Sequence, residues 1–271
     1  MPTFSRTARI VDEATAAGFF PPRHPVEITD IGELTDGVVR LSFRDPYIAA
    51  HAKPAQFVDL FVRDPMHLMP RPFGVSEVDG DDVSVIFAVI GEGTRELAAM
   101  RVGDTLDVLG PLGRPFKVKE AGHYVLVGGG LGVPPLIYAA QCLSGRDDAT
   151  TTAVFGYRND HFADDYVSRY ADATLSIDES RGNVITLLDA HAGEFAADGN
   201  TTILSCGPLP MMKAVAGWAV ERDLPCQLSM EQRMGCGYGT CVLCTVDTVD
   251  GRLKVCSDGP VFTREQLGWG E

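Results

Sequence analysis

The sequence is short of positive charge and has no long apolar run. Twenty-three Lys and Arg stand against 37 Asp and Glu, a formal charge of −14. That balance argues against general affinity for nucleic acid or for an anionic membrane face. No stretch reaches the length of apolar residues that a membrane-spanning helix needs. The opening Met1-Pro2-Thr3-Phe4-Ser5-Arg6 leads into no apolar core of signal-peptide type, so a cytoplasmic location is the expectation. Histidine is scarce: His24, His51, His67, His123, His161 and His191 are scattered and form no catalytic or metal-binding constellation. Internal repeats and low-complexity tracts are missing, which excludes a repeat array. At 271 residues the chain has room for two or three domains.

What is present is concentrated near the end. From Met234 to Cys256 the chain reads M-G-C-G-Y-G-T-C-V-L-C-T-V-D-T-V-D-G-R-L-K-V-C, placing Cys236, Cys241, Cys244 and Cys256 at C-x4-C-x2-C-x11-C. Four thiolates, three of them on one tight loop, make a soft sulfur donor set that suits a [2Fe-2S] cluster, with structural zinc as the chemical rival and a disulfide as a further alternative. Gly235, Gly237 and Gly239 let the backbone of such a loop approach inorganic sulfide closely. The other cysteines, Cys142, Cys206 and Cys226, are dispersed and expected to be reduced.

The rest of the chain divides by pattern. Residues 1–25 read as an extension ending in the breaker run Pro21-Pro22-Arg23-His24-Pro25. Short strands are expected at 26–34, 38–44, 56–63, 71–78, 83–90 and 104–109, with a short helix from Thr94, as its cap, to Met100. Six short strands at this spacing favour an antiparallel barrel over 26–115. From Gly122 strands alternate with helices: strands at 123–127, 151–155, 174–177 and 202–205, helices at 136–143, near 160–170, near 183–192 and at 209–222. This predicts an α/β parallel-sheet domain over 118–222. In its last helix, Met212, Val215, Ala216 and Ala219 form a core-facing stripe. Residues 223–271 make a third small unit, expected to depend on its cluster to fold.

Two stretches carry further chemistry. After the strand at 123–127, Gly128-Gly129-Gly130-Leu131-Gly132-Val133-Pro134-Pro135 forms a turn into a helix, a place where backbone N–H groups face an anion. Its plainer alternative is a tight strand-to-helix turn. Arg71-Pro72-Phe73-Gly74-Val75-Ser76 and Gly91-Glu92-Gly93-Thr94 are polar or glycine-rich punctuations inside apolar strands.

Arg71-Pro72-Phe73-x-x-Ser76 resembles the flavin motif of the ferredoxin–NAD(P)H reductase superfamily. Gly91 to Thr94 resembles its phosphate loop, and Gly110-Pro111-Leu112-Gly113 its barrel-closing turn. Gly132-Val133-Pro134-Pro135 resembles its G-I-A-P stretch, and Cys206-Gly207-Pro208 its C-G-P motif. With Gly259-Pro260-Val261-Phe262, the cysteine segment is most similar to the iron–sulfur electron-transfer subunits of NAD-linked dihydroorotate dehydrogenases, which serve pyrimidine biosynthesis. The resemblance implies a multidomain fold: an FAD-binding barrel, an NAD-binding α/β domain and a small [2Fe-2S] domain. It assigns Arg71, Pro72, Phe73, Ser76, Gly93 and Thr94 to FAD; Gly130, Gly132, Cys206 and Gly207 to the nucleotide; and Cys236, Cys241, Cys244 and Cys256 to the cluster. No protein acid or base is implied.

The implied partner is an FMN-containing catalytic subunit that oxidises dihydroorotate, in a hetero-oligomer expected to be a heterotetramer. Electrons would pass through the cluster and FAD to NAD+. Subunits of NAD(P)H-dependent ferredoxin or sulfide oxidoreductases share this layout and are the alternative. A non-enzymatic redox sensor is the other class, and it would need empty flavin and nucleotide sites. Asp178 and Glu179, after the strand at 174–177, favour NAD over NADP because carboxylates accept from ribose hydroxyls and repel the extra phosphate. Where the superfamily often has P-G-Q-F, this chain has Pro54-Ala55-Gln56-Phe57, and the alanine is expected to disfavour a positive φ.

Overall fold

The computed structural model describes residues 22–64, 66–196 and 200–270. The expected extension therefore lies outside the described residues up to position 21. His24 and Pro25 of its breaker run already belong to the first strand.

Alternating apolar residues build six antiparallel strands: β1 (His24–Thr35), β2 (Val38–Arg44), β3 (Phe57–Phe61), β4 (Arg71–Asp79), β5 (Asp82–Ala88) and β6 (Thr105–Leu112). They close into a barrel in the order β1-β2-β5-β4-β3-β6. The inward face carries Ile28, Leu41, Phe43, Leu60, Val75 and Val85, all buried. A helix that the sequence pattern did not announce, α1 (Pro46–His51), follows β2. Six residues are too few to show a helical period, but the start is built locally: Asp45 Oδ1 accepts from the N–H groups of Tyr47 at 3.0 Å and Ile48 at 3.1 Å, and Pro46 takes the first turn. The helix expected from Thr94 is α2 (Glu92–Ala98), and its cap is Gly91. Thr94 sits three residues inside, where its Oγ1 accepts from the Gly91 N–H at 3.0 Å. Ala55 adopts φ +69° despite its side chain, so the turn before β3 keeps the left-handed conformation that alanine was expected to disfavour. That costs about 1–2 kcal/mol of local strain.

The second body is a six-stranded sheet. β7 (Gly122–Gly129) is followed by a 3-10 turn over Gly130–Gly132 and α3 (Pro134–Ser144), then β8 (Ala149–Tyr157), α4 (Asp164–Val167) and β9 (Ala173–Asp178). Next come α5 (Val184–Ala190), α6 (Ala192–Ala196), β10 (Thr201–Cys206), α7 (Leu209–Val220) and β11 (Cys226–Ser229). After a hairpin of β12 (Thr245–Thr248) and β13 (Gly251–Lys254), β14 (Val261–Thr263) returns to the sheet edge. The order is β14-β11-β10-β7-β8-β9, parallel except for β14. The sheet is thus mixed, where a purely parallel one was expected, because the chain beyond the cysteines doubles back on β11. The helix expected near 160–170 is only one turn, since Asp164 accepts from Tyr157 Oη at 2.8 Å and from Ser176 Oγ at 2.5 Å and pins the preceding residues as a loop. The apolar stripe of α7 is buried as expected.

Paired polar contacts fasten the two bodies together. Gln141 of α3 treats β4 like a neighbouring strand: its Oε1 accepts from the Val78 N–H at 3.0 Å and its Nε2 donates to the Val78 carbonyl at 2.7 Å. Gln227 of β11 does the same to Lys117, at 2.7 and 2.9 Å. Tyr170 Oη donates to the buried Glu77 of β4 at 2.6 Å. The cysteine stretch shares its apolar core with the sheet: Cys244, Val255, Cys256, Phe262 and Leu267 pack in one cluster with Val125, Val127 and Trp218.

His24 and Asp45 tie the mouth of β1 to α1, with Nε2 and Oδ2 2.8 Å apart and both residues buried. Burial lowers the His24 pKa, but the hydrogen bonds to Asp45 and to the Pro22 carbonyl outweigh it and raise the imidazole above 6.5. A group with a raised folded pKa contributes stability that is fully present below its unfolded pKa and is lost as pH rises through the folded one. The wild-type Tm should therefore exceed that of His24→Gln most clearly near pH 6, by about 2–4 °C, and the gap should shrink by pH 9. Thermal melts of the two proteins across that range check this.

Candidate functional site

A cleft of about 260 Å³ opens where the barrel, the sheet and the approach to the cysteine loop meet. Pro72, Phe73 and Gly74 of β4, with Ile86 to Ala88 of β5, form the barrel wall. Leu131, Pro134 and Pro135 after the glycine turn, with Cys206 at the end of β10, form the second. The third is Ser229 to Gln232 and Met234, the chain running from β11 towards the cysteines. The walls are mostly apolar, and a few polar groups face inwards. A cleft with mostly apolar walls and a few polar groups is of the kind that holds a small organic ligand.

Arg71, Gly93 and Thr94, far apart in sequence, are brought together at one end. The Arg71 guanidinium lies so close over Gly93 that any side chain there would overlap it, and its Nη1 donates to the Met69 carbonyl. Thr94 lines the cleft. Ser76 is not part of the group. It is buried, and its Oγ donates to the Ser84 carbonyl at 2.9 Å. The register of β4 against β5 shifts between Val75 and Glu77, which turns Ser76 onto the strand backbone and leaves Gly74 on the cleft wall against Pro135.

Cys206 is buried, its thiol pKa pushed up by burial and by the carboxyl of Glu231, whose Oε1 lies 3.9 Å from its Sγ. The protein around the Glu231 carboxyl raises its pKa in turn, although the residue as a whole reaches the surface. Sequence reasoning missed Glu231, because β11 before it is only four residues long and gives no readable strand signal.

Behind the glycine turn lies a wider crevice of about 670 Å³. β7 is first in the sheet; the chain adds β8 and β9 on one side, then returns to add β10 on the other. Their carboxyl ends therefore part between Gly129 and Cys206, the switch point at which ligands of open α/β sheets bind. Gly129, Gly130 and Leu131 line the crevice together with Arg158, Glu179 and Asn183. Gly130 takes φ +53°, and a Cβ on Gly132 would overlap the Cys206 carbonyl and the Gly207 nitrogen, so the turn is pressed directly onto the end of β10. Asp178 ends β9 as expected, but its carboxylate is occupied: Ser180 donates to it from both hydroxyl and N–H, the latter at 3.0 Å, and holds its pKa below the usual range. Glu179, the next residue, is the carboxylate that lines the crevice.

The four cysteines gather as two pairs. The Cys241 N–H donates to Cys236 Sγ at 3.4 Å, and the Cys256 N–H donates to Cys244 Sγ at 3.5 Å. Burial raises the Cys236 pKa, but N–H groups of Cys241, Tyr238 and Thr240 prevail and bring it down to about 7. Cys256 is pushed up to about 12 by burial and by its neighbour Cys244. Four cysteine sulfurs in two pairs, each pair with a backbone N–H on one sulfur, are a donor set that suits an iron–sulfur group, so the residues fit it. Among the described residues no group of three or more His, Cys, Asp or Glu is placed to hold a single metal ion. Beside the loop, the buried Asp59 of β3 has its carboxyl pushed up to about 7, by burial first and by Cys236 second. No helix among the described residues is long and apolar enough to cross a membrane.

Comparison with known proteins bears on the same regions. Residues 231–268 match the family model of the iron–sulfur cluster binding domain of dihydroorotate dehydrogenase B. The chain is 37% identical over 227 residues to the electron transfer subunit of dihydroorotate dehydrogenase B (NAD(+)) from Lysinibacillus sphaericus, covering 78% of this chain and 85% of that one. It is 35% identical to the subunit of the same name from Bacillus velezensis, covering 87% and 94%. Among solved structures, the NADH-dependent reduced ferredoxin-NADP oxidoreductase superposes with a TM-score of 0.79 at 28% identity, covering 90% of both chains.

The contact between the glycine turn and β10 gives a direct check. Gly132→Ala forces a methyl group into backbone that cannot yield, and should cost about 1–3 kcal/mol of stability. Gly145→Ala, with open space around it, should change stability by less than about 0.5 kcal/mol. Denaturant melts of both variants decide it.

Proposed function

The chain belongs to the family of electron-transfer subunits of NAD-linked dihydroorotate dehydrogenase B, and on that premise we propose how its residues divide the work. FAD occupies the three-walled cleft, with Pro72, Phe73 and Gly74 along one side of its ring. Arg71, over the start of α2 at Gly93 and Thr94, meets its pyrophosphate with a charge-assisted contact. NAD occupies the crevice at the switch point, with Gly130 and Gly132 turned towards its phosphates and Cys206 and Gly207 beside the nicotinamide. Cys236, Cys241, Cys244 and Cys256 hold a [2Fe-2S] cluster. Their arrangement in two pairs supports this over a single zinc, because a two-iron cluster takes two cysteines per iron.

When bound, FAD exchanges a hydride with NAD and single electrons with the cluster, so the protein need supply no acid or base for the hydride step. The chain's own task is to orient these groups and exclude water between them. One observation carries the reading: the wall of the cleft that begins at Ser229 runs on within seven residues into Cys236, so flavin and cluster share one segment of backbone. The partner is a catalytic subunit that oxidises dihydroorotate and holds FMN. It meets the cluster end, where Val242 and Leu243 are exposed between two cysteines. Mixing the two purified subunits should give dihydroorotate-dependent NADH formation that neither gives alone. Formation of NADH only with a ferredoxin in place of that subunit would move the protein to the other reading.

Cys241→Ala should reduce iron and acid-labile sulfide from about two of each per chain to near zero. FAD should remain at one per chain, since Arg71, Pro72, Phe73, Gly93 and Thr94 lie on the barrel, away from the cysteine loop. Wild-type iron content in this variant would remove Cys241 from the ligand set.

Nucleotide choice falls to Glu179. Wild type should reduce its flavin with a higher kcat/KM for NADH than for NADPH, and Glu179→Ser should narrow that ratio by about tenfold through loss of a charge that repels the extra phosphate. Asp178→Ser should change the ratio much less, because Ser180 already holds that carboxylate.

A further inference from the structure

Asp59 is a carboxylic acid at a place where packing alone would favour a hydrocarbon. It lies on β3, in register with Pro72 of β4 and Leu109 of β6. It is fully buried, and neither carboxyl oxygen has a hydrogen-bond partner among the described residues. Pro72 has no N–H to offer it. A buried polar group without a partner is unfavourable, and a leucine of similar size would fill the same space without that penalty.

The carboxyl is not aimed at empty space. A Cβ built on Gly237 would overlap Asp59 Oδ2 and lie 3.0 Å from Oδ1, so the cysteine loop rests on the carboxyl itself. Gly237 takes φ +77°, and a larger residue there would both strain the turn and push it off the barrel. Gly237 follows Cys236 directly, and Cys241 bonds back to Cys236 Sγ through its N–H. The strand that carries Asp59 is bonded to the strand that lines the cleft, since Asp59 stands opposite Pro72.

We propose that Asp59 is a positioning residue for the cysteine loop: its carboxyl, fixed on β3, seats the turn at Gly237 and so sets where Cys236 and Cys241 are held relative to the cleft wall. This rests on the iron–sulfur reading of the four cysteines. Outer-shell groups hydrogen-bonded to metal ligands commonly change metal affinity by about 10–100-fold when lost, and a residue that seats a ligand's turn acts on the same ligand geometry through packing.

The test uses the full chain with its native cofactors and compares wild type, Asp59→Leu and Asp59→Asn. FAD per chain reports the fold of the barrel. Iron and sulfide per chain, the rate of iron release to a chelator, and the EPR spectrum of the dithionite-reduced protein report the loop. Asp59→Leu should keep wild-type FAD yet release iron about tenfold faster or more, with shifted g values. Asp59→Asn, which keeps the shape and one acceptor, should fall between the two. Wild-type release and an unchanged spectrum in Asp59→Leu overturn the proposal while leaving the cluster in place. Should Asp59→Leu lose FAD as well, Asp59→Asn decides: faster release with a shifted spectrum supports the proposal, and wild-type behaviour overturns it. Wild-type protein without iron or sulfide would instead overturn the iron–sulfur reading, and the proposal with it.

Discussion

Everything at the site depends on a strand of four residues. β11 pairs parallel with β10 on one side and antiparallel with β14 on the other. Locked between them, it delivers Ser229 to Met234 along the open side of the cleft and then releases the chain into the cysteine loop. β14 brings the chain back after the loop, so both ends of the cysteine stretch are held by the same sheet that supplies the switch-point crevice. The cysteine loop therefore cannot drift from the cleft without breaking the sheet.

The electrostatics follow the same logic. The chain carries a formal charge of −14, and an all-cysteine cluster, as proposed, would add negative charge to it. Local donors answer this: backbone N–H groups converge on Cys236 and depress its pKa against the effect of burial. At the opposite end of the cleft Arg71 supplies a fixed cation beside the start of α2. Positive character is thus placed at both ends of the proposed flavin path, where a pyrophosphate and a thiolate cluster would call for it, within an otherwise acidic molecule.

Much of this architecture was legible from sequence because the barrel strands obey a period of two and the glycine turn joins a strand to a helix. The cysteine spacing pointed to a soft, four-sulfur donor set without help from the fold. What escaped notice did so for physical reasons. Ser76 was expected at the flavin through its motif, but a register shift in β4 turns it onto the strand backbone and leaves Gly74 on the cleft wall. Asp178 looked free at a strand end, yet the turn that follows uses its carboxylate internally and leaves Glu179 to face the crevice. Thr94 read as a cap from its side chain, although the extended backbone of Gly91 starts the helix three residues sooner. Asp59, in the run Phe57-Val58-Asp59-Leu60, matches an ordinary outward-facing strand position. Only the fold shows that the cysteine loop covers it.

The central claim is that one cleft places a flavin between a nucleotide crevice and a cysteine-bound cluster. An anaerobic titration of the purified protein with NADH, followed by visible absorption and low-temperature EPR, tests it most directly. The account predicts that NADH bleaches the flavin band and that a reduced [2Fe-2S] signal appears, approaching about one spin per chain under dithionite. Flavin that bleaches fully while no such signal forms, even with dithionite, would contradict it.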